Sequence, residues 1–359
     1  MSKLLLRVGG TALLFGFLAW RAHWDKVFHA FRDLRVELWF GAVGLYMLTQ
    51  VISAFRWQML ARPLGLCCSV SRLTAYYFIG MFWNLVLPTS VGGDVVRAWY
   101  LDNHSGHRLL AFLSVFADRA SGLIVLLGMA CVAALVYPGQ LPGWIYGFVG
   151  GAAAFTVVFA FVVDLLSKRM HRLARPVEDG DRKKVKRGRL VEMALHFLAR
   201  LGRLLEHARL YLRRPRLLLE VTLLSLLVQA GNVVLVWMIG MAIGAKVPAG
   251  YYWIAVPMIT LLTLLPISLN GMGIREWGMA FFLEPLGVDK DTAFTLAFLW
   301  FLVYTATGLS GGLVYLFGDF KRPEVEADEP VGDHSHQGRA GQPQAVARAP
   351  SAGAGAPGA

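Results

Sequence analysis

The chain has 359 residues, 56% of them hydrophobic and 16% charged, with a net charge of +12 and a mean hydropathy of +0.53. A soluble domain carries about a quarter charged residues, and several runs here approach the roughly 20 apolar residues that cross a hydrocarbon core of about 30 Å. This excludes a soluble globular protein. It also removes nucleic acid as the reason for the basic balance, because residues 168–216 alone hold sixteen Lys and Arg against five Asp and Glu.

In chain order, Lys3 and Arg7 precede an apolar run to Trp20. No small-x-small cleavage site follows, so the run reads as a retained first helix and not a signal peptide. The apolar helix candidates are 4–20, 39–55, 73–87, 110–136, 144–166, 217–244, 251–269 and 292–317. Residues 21–38 place Trp24, Phe28, Phe31 and Leu34 at helical spacing among charges, as in a surface helix. Adjacent Cys67 and Cys68 are poorly placed to bridge each other, and Cys131 falls inside an apolar span. No metal spacing and no cofactor are expected. Residues 190–212 are amphipathic, with Leu190, Phe197, Leu201, Leu204, Leu205, Ala208 and Leu212 at three- and four-residue steps. Such a helix either lies on anionic cytoplasmic headgroups or packs on the loop ends. Residues 1–320 form the membrane domain, and 321–359, rich in Gly, Ala, Pro and Gln, read as a disordered cytoplasmic tail.

The basic loop is the topology signal. Eight crossings from an inside N-terminus would put it outside. If 73–99 and 251–277 instead enter and return on one side, Lys3, Arg7, Arg56, Arg62, Arg72, the basic loop, Lys321 and Arg322 all lie inside. A rival with eight crossings and an outside N-terminus keeps the loop inside but moves Arg56, Arg62, Arg72, Lys321 and Arg322 outside. The first arrangement is preferred. It predicts an all-α polytopic protein of six to eight membrane helices with two re-entrant broken helices in an inverted repeat.

The two breaks carry a repeated motif. Leu87, Pro88, Ser90, Gly93, Arg97 and Trp99 align without a gap with Leu265, Pro266, Ser268, Gly271, Arg275 and Trp277. Apolar segments interrupted by Pro and Gly at matching places point to a transporter's binding site. Gly92 and Gly93 would open one half-helix, and Asn270, Gly271 and Gly273 the other. Helix starts expose free N–H groups that favour an anion. Arg97 and Arg275 add guanidinium forks suited to phosphate. Asp94 shares a face with Arg97, and Glu276 stands beside Arg275 as its balancing acid in the empty site. Asp118 and Arg119, early in 110–136, either lock helices together or contact substrate. Arg56 is expected to snorkel to the interface. Gln229 and Asn232 read as interhelical glue.

Nucleotide-binding and hydrolase signatures are absent from the sequence, including the P-loop, His-Glu-x-x-His and Gly-x-Ser-x-Gly. Three readings stay open. The chain translocates an anionic-headgroup lipid. Alternatively it is an integral-membrane transferase on a lipid-linked substrate, or a non-catalytic partner of a lipid-biosynthesis enzyme.

At Arg56-Trp57, the Gly92-Gly93-Asp94 core running to Arg97, Asp118-Arg119 and the run Asn270 to Glu276, the chain resembles the lysylphosphatidylglycerol synthase transmembrane family, a flippase-like membrane domain. The second copy has Asn270 where that family often has a Pro-Gly-Gly run. The resemblance implies lipid translocation or a related lipid role in a prokaryotic cytoplasmic membrane. The matching features carry no synthase domain, so the resemblance does not imply synthase activity, and the chain is expected not to be an enzyme.

Overall fold

The computed structural model describes residues 34–87, 91–105, 107–136, 143–178, 214–264 and 273–318, with Arg32, Tyr211 and Gly271. The expected first helix at 4–20, the surface helix at 21–38 up to its last residues, nearly all of the amphipathic stretch and the tail 321–359 lie outside the described residues. So do Pro88, Thr89, Ser90, Asn270 and Met272.

The described residues are helical and contain no strand. Helix α1 is Val36–Ala61, α2 Val70–Val86, α3 Gly92–Ser105, α4 Arg108–Val136 and α5 Gly143–Glu178. After the basic segment come α6 Pro215–Ala242, α7 Ala249–Thr263, α8 Ile274–Leu283 and α9 Lys290–Phe317. By length and composition α1, α4, α6 and α9 are each apolar enough to cross a membrane. Their exposed faces carry Phe40, Leu48, Phe116, Ile124, Leu223, Leu227, Leu309 and Leu313, as lipid contact requires. Helix α7 stops at Thr263, short of the expected 269.

Helices α2 and α3 form an antiparallel hairpin. Tyr76 stacks on Tyr100 with ring centroids 5.1 Å apart, and Asn84 Oδ1 accepts from the Gly93 N–H at 2.8 Å. The two backbones touch at Gly80 and Gly93. A Cβ on Gly93 would overlap the Gly80 carbonyl oxygen. Gly93→Ala is therefore expected to cost about 3 kcal/mol, the upper end of overpacking. Gly128→Ala, with nothing within 4 Å of the added carbon, should cost nothing. Thermal unfolding in detergent compares the two. Helices α7 and α8 form the second hairpin. Tyr251 donates to the Phe282 carbonyl at 2.7 Å, and Gly278 faces Ile259. With 17 and 15 residues, α2 and α7 rise about 25 and 22 Å, less than the core they enter.

The repeat extends far beyond thirteen residues. Span α1, hairpin α2–α3 and span α4 match span α6, hairpin α7–α8 and span α9 in order and in length. The packing obeys the same exchange. Where α1 touches α2 and α4, α6 touches α7 and α9. Where α2 touches α9, α7 touches α4. The equivalent spans α1 and α6 pack antiparallel: the Arg35 N–H donates to the Ala242 carbonyl at 3.0 Å, Gly231 faces Thr49, and Arg56 reaches Ser225. Corresponding elements thus run in opposite directions, the geometry of an inverted repeat. Sidedness gives a direct check. With the three native cysteines replaced, Val288→Cys should react with an impermeant maleimide only from outside. Labelling from the cytoplasm alone would contradict the inversion.

Candidate functional site: two arginines at two hairpin tips

Helix α3 begins at Gly92, so Asp94 falls in its first turn and Arg97 one turn on. Buried Arg97, 2% exposed, is held by Asp118 on α4 through Nη2–Oδ2 at 3.1 Å and by Asp94 at 3.4 Å. Its guanidinium carbon lies 4.4 Å from the ring centroid of Trp57 and 3.9 Å from that of Tyr77. The other oxygen of Asp118 accepts from Arg56 Nε at 3.0 Å and pairs with its Nη2 at 2.9 Å. Arg56 Nη1 also donates to Ser225 Oγ on α6 at 2.9 Å. At the far end Arg119 grips Asp94 with Nε and Nη2 at 2.8–3.0 Å.

The result is an alternating row: Arg56, Asp118, Arg97, Asp94, Arg119. Three guanidinium groups meet two carboxylates, a net of +1. Asp118 is fully buried and Arg97 nearly so, while Asp94 keeps 14% of its side chain exposed. Arg119, at the outer end, has a half-exposed side chain. Asp118 and Arg119 do not pair with each other as neighbours. Successive residues on a helix point about 100° apart, which sends one carboxylate inward and one guanidinium outward. Arg56 does not snorkel to the interface. Helix α1 runs five residues past it, and its charge turns inward to Asp118.

The second tip is built differently. Gly271 and Gly273 have φ of 76° and 85°, the left-handed region that glycine enters without steric cost. Gly273 precedes α8 as its N-cap, and the Glu276 carboxylate accepts from the Gly273 N–H. Glu276 is thereby committed to the helix start and does not balance Arg275, contrary to expectation. Arg275 is 8% exposed. Its guanidinium lies 5.0 Å from the Trp300 ring and 4.9 Å from the Tyr304 ring. Among the described residues its Nε and Nη1 have no hydrogen-bond partner, and no carboxylate pairs with it.

Counted from the first residue of each span, Asp118 and Gly122 occupy on α4 the positions that Trp300 and Tyr304 occupy on α9. One arginine therefore faces an acid, and the other faces two aromatic rings. The Tyr46 ring on α1 meets Tyr304 edge-on at 4.5 Å. Gln229 joins α6 to α4, donating to the Gly122 carbonyl at 3.2 Å, whereas Asn232 donates to Gln229 on the same helix at 3.3 Å.

Of the sequence candidates, the fold brings together Asp94, Arg97, Asp118 and Arg119, with Gly92 and Gly93 at the start of the helix that carries the first two. It sets Gly271, Gly273, Arg275 and Glu276 at the other tip, and Asn270 is outside the described residues. Asn84, Tyr77, Ser225, Trp300 and Tyr304 carried no signal in the sequence, since each sits in an apolar run like many others.

A family model described as lysylphosphatidylglycerol synthase TM region matches residues 4–312. No curated protein and no solved structure matches the chain. The family match takes in both hairpins, both arginines and the whole ion row: the chain is a multi-pass membrane protein of the lysylphosphatidylglycerol synthase transmembrane-region family, with a function tied to membrane lipids.

Proposed function

We propose that the protein moves a phosphate-bearing lipid between the leaflets of a prokaryotic cytoplasmic membrane, with the headgroup phosphate paired to Arg275. The observation that carries this reading is the guanidinium of Arg275, buried at a hairpin tip with two nitrogens unpartnered among the described residues. A buried charge without a counter-charge costs several kcal/mol, on the order of what a pair of weak aromatic contacts cannot return. An anion arriving at Arg275 would remove that cost, and only while it is bound.

The row in the other unit supplies the rest. Arg119 is the accessible cation, and Asp94 is the carboxylate it holds. A headgroup phosphate can take Asp94's place on Arg119 and pass Tyr46 and Tyr304 to Arg275, while its acyl chains stay along the exposed apolar faces. Arg97 keeps the row assembled. With no nucleotide-binding signature, the drive is an ion gradient or the lipid gradient, and Asp94 is the more exposed of the row's two carboxylates. The basic segment holds the cytoplasmic face to anionic headgroups.

The test is headgroup translocation in proteoliposomes. A fluorescent-headgroup anionic lipid in the inner leaflet should become accessible to an impermeant quencher faster than in protein-free vesicles. Equal rates overturn the proposal. A chemically altered lipid in the same vesicles would instead indicate a membrane transferase. Unmoved, unaltered lipid would favour a non-catalytic partner.

A further inference from the structure

The difference between the two arginines extends to hydrogen bonding. The position that Asp118 fills on α4 carries an acceptor, and it takes Arg97 at 3.1 Å. The same position on α9 carries Trp300, whose indole N–H can only donate. Trp300 is 2% exposed, and its Nε1 has no hydrogen-bond partner among the described residues. The Arg275 guanidinium lies over this ring, 5.0 Å from its centroid, and is donor-only as well. Indole and guanidinium therefore cannot satisfy each other.

Six buried side-chain atoms lack a partner among the described residues. Three of them gather at this tip, Arg275 Nε, Arg275 Nη1 and Trp300 Nε1, and all three are donors. A buried donor left unmade costs its full desolvation, so orphans of one sign on two touching side chains need an acceptor from outside. An acceptor with a single atom would serve the arginine and leave the indole unmet. An oxyanion with two free oxygens can meet both.

We infer that Trp300 is a second, neutral donor of the Arg275 site and a specificity-determining residue of the transport. Its indole N–H donates to one oxygen of the bound oxyanion, while the guanidinium takes the charge. The inference rests on the phosphate reading of Arg275 given above.

The test uses full-length protein carrying isotope-labelled tryptophan, held in dodecyl maltoside and free of lipid phosphorus. The probe is short-chain phosphatidylmethanol, a monoanion with no hydrogen-bond donor of its own. Of the eleven indole N–H signals in the nuclear magnetic resonance spectrum, that of Trp300 is the one missing when Trp300 is replaced. The probe should move this proton downfield, the mark of a new hydrogen bond, which a residue that only packs would not show. Trp300→Phe keeps an aromatic face for Arg275 and should bind the probe about tenfold more weakly, the worth of one hydrogen bond to a charged group. Replacing Trp300 by 3-benzothienylalanine keeps both fused rings, puts sulfur in place of the N–H, and should weaken binding as much. Thermal unfolding of each variant shows that it is folded.

Binding that is absent, or that Arg275→Gln does not weaken, overturns the phosphate reading and this inference together. Where Arg275→Gln abolishes binding, an unmoved Trp300 signal overturns this inference alone, as does a benzothienyl variant that binds as tightly as the unaltered protein. A Trp300 signal that moves with Tyr304→Phe and not with the probe does the same, because the tyrosine hydroxyl would then be its partner.

Discussion

Asp118→Ala is expected to be the most destabilising single change in the protein. Asp118 is fully buried and holds two guanidinium groups, Arg56 at 2.9 Å and Arg97 at 3.1 Å. Arg97 retains Asp94 and two aromatic faces after the change. Among the described residues Arg56 retains only Ser225, and it is left charged and 4% exposed. Breaking a buried pair by removing one partner costs about 3–5 kcal/mol, because the remaining charge is uncompensated. Asp118→Asn keeps an acceptor oxygen and should fall between. The cost belongs to the stranded cation and not to a lost attraction, so the double variant Arg56→Met/Asp118→Ala should be more stable than Asp118→Ala alone. Unfolding midpoints in a single detergent give all three comparisons. Additive losses in the double variant would show that the pair is not a unit.

Arg275→Gln carries the opposite signature. It should slow headgroup translocation by about thirtyfold or more, the effect of truncating one partner of a buried charge pair. Yet it should leave thermal stability unchanged or raise it, because it removes a buried charge that no described side chain offsets. Arg275→Lys keeps the charge and loses the planar fork, so it should retain an intermediate rate. Arg97→Gln separates the two kinds of arginine. It strands Asp118 against Arg56 alone, so its lost activity should come with lost stability. If Arg275→Gln unfolded as readily as Arg97→Gln, Arg275 would be a structural cation like its counterpart.

Composition and two thirteen-residue motifs made much of this legible in the sequence. Apolar runs of sufficient length define the spans, and Pro and Gly at matching places mark the two breaks. The hairpins follow from charge, because only with 73–99 and 251–277 each returning on one side do the basic loop and the other basic residues lie inside. What stayed hidden was partnership. Asp118 beside Arg119, and Arg275 beside Glu276, suggest pairs when written in a line. On a helix they point in different directions, and their real partners are distant in sequence: 62 residues separate Arg56 from Asp118. Arg56 looked like an interfacial anchor because the apolar run ends near it, while the helix itself continues to Ala61. Trp300 and Tyr304 are ordinary members of an apolar span until the exchange of units places them where Asp118 and Gly122 stand. No motif encodes that substitution, and it is what distinguishes the two arginines.

The most direct measurement is a density map of the protein in nanodiscs of anionic lipid. The account predicts a phosphate within hydrogen-bond reach of the Arg275 guanidinium, beside Trp300 and Tyr304, with Arg97 still bound to Asp118. A carboxylate closed onto Arg275, or a phosphate that displaces Asp118 from Arg97 while Arg275 stays unoccupied, would contradict it.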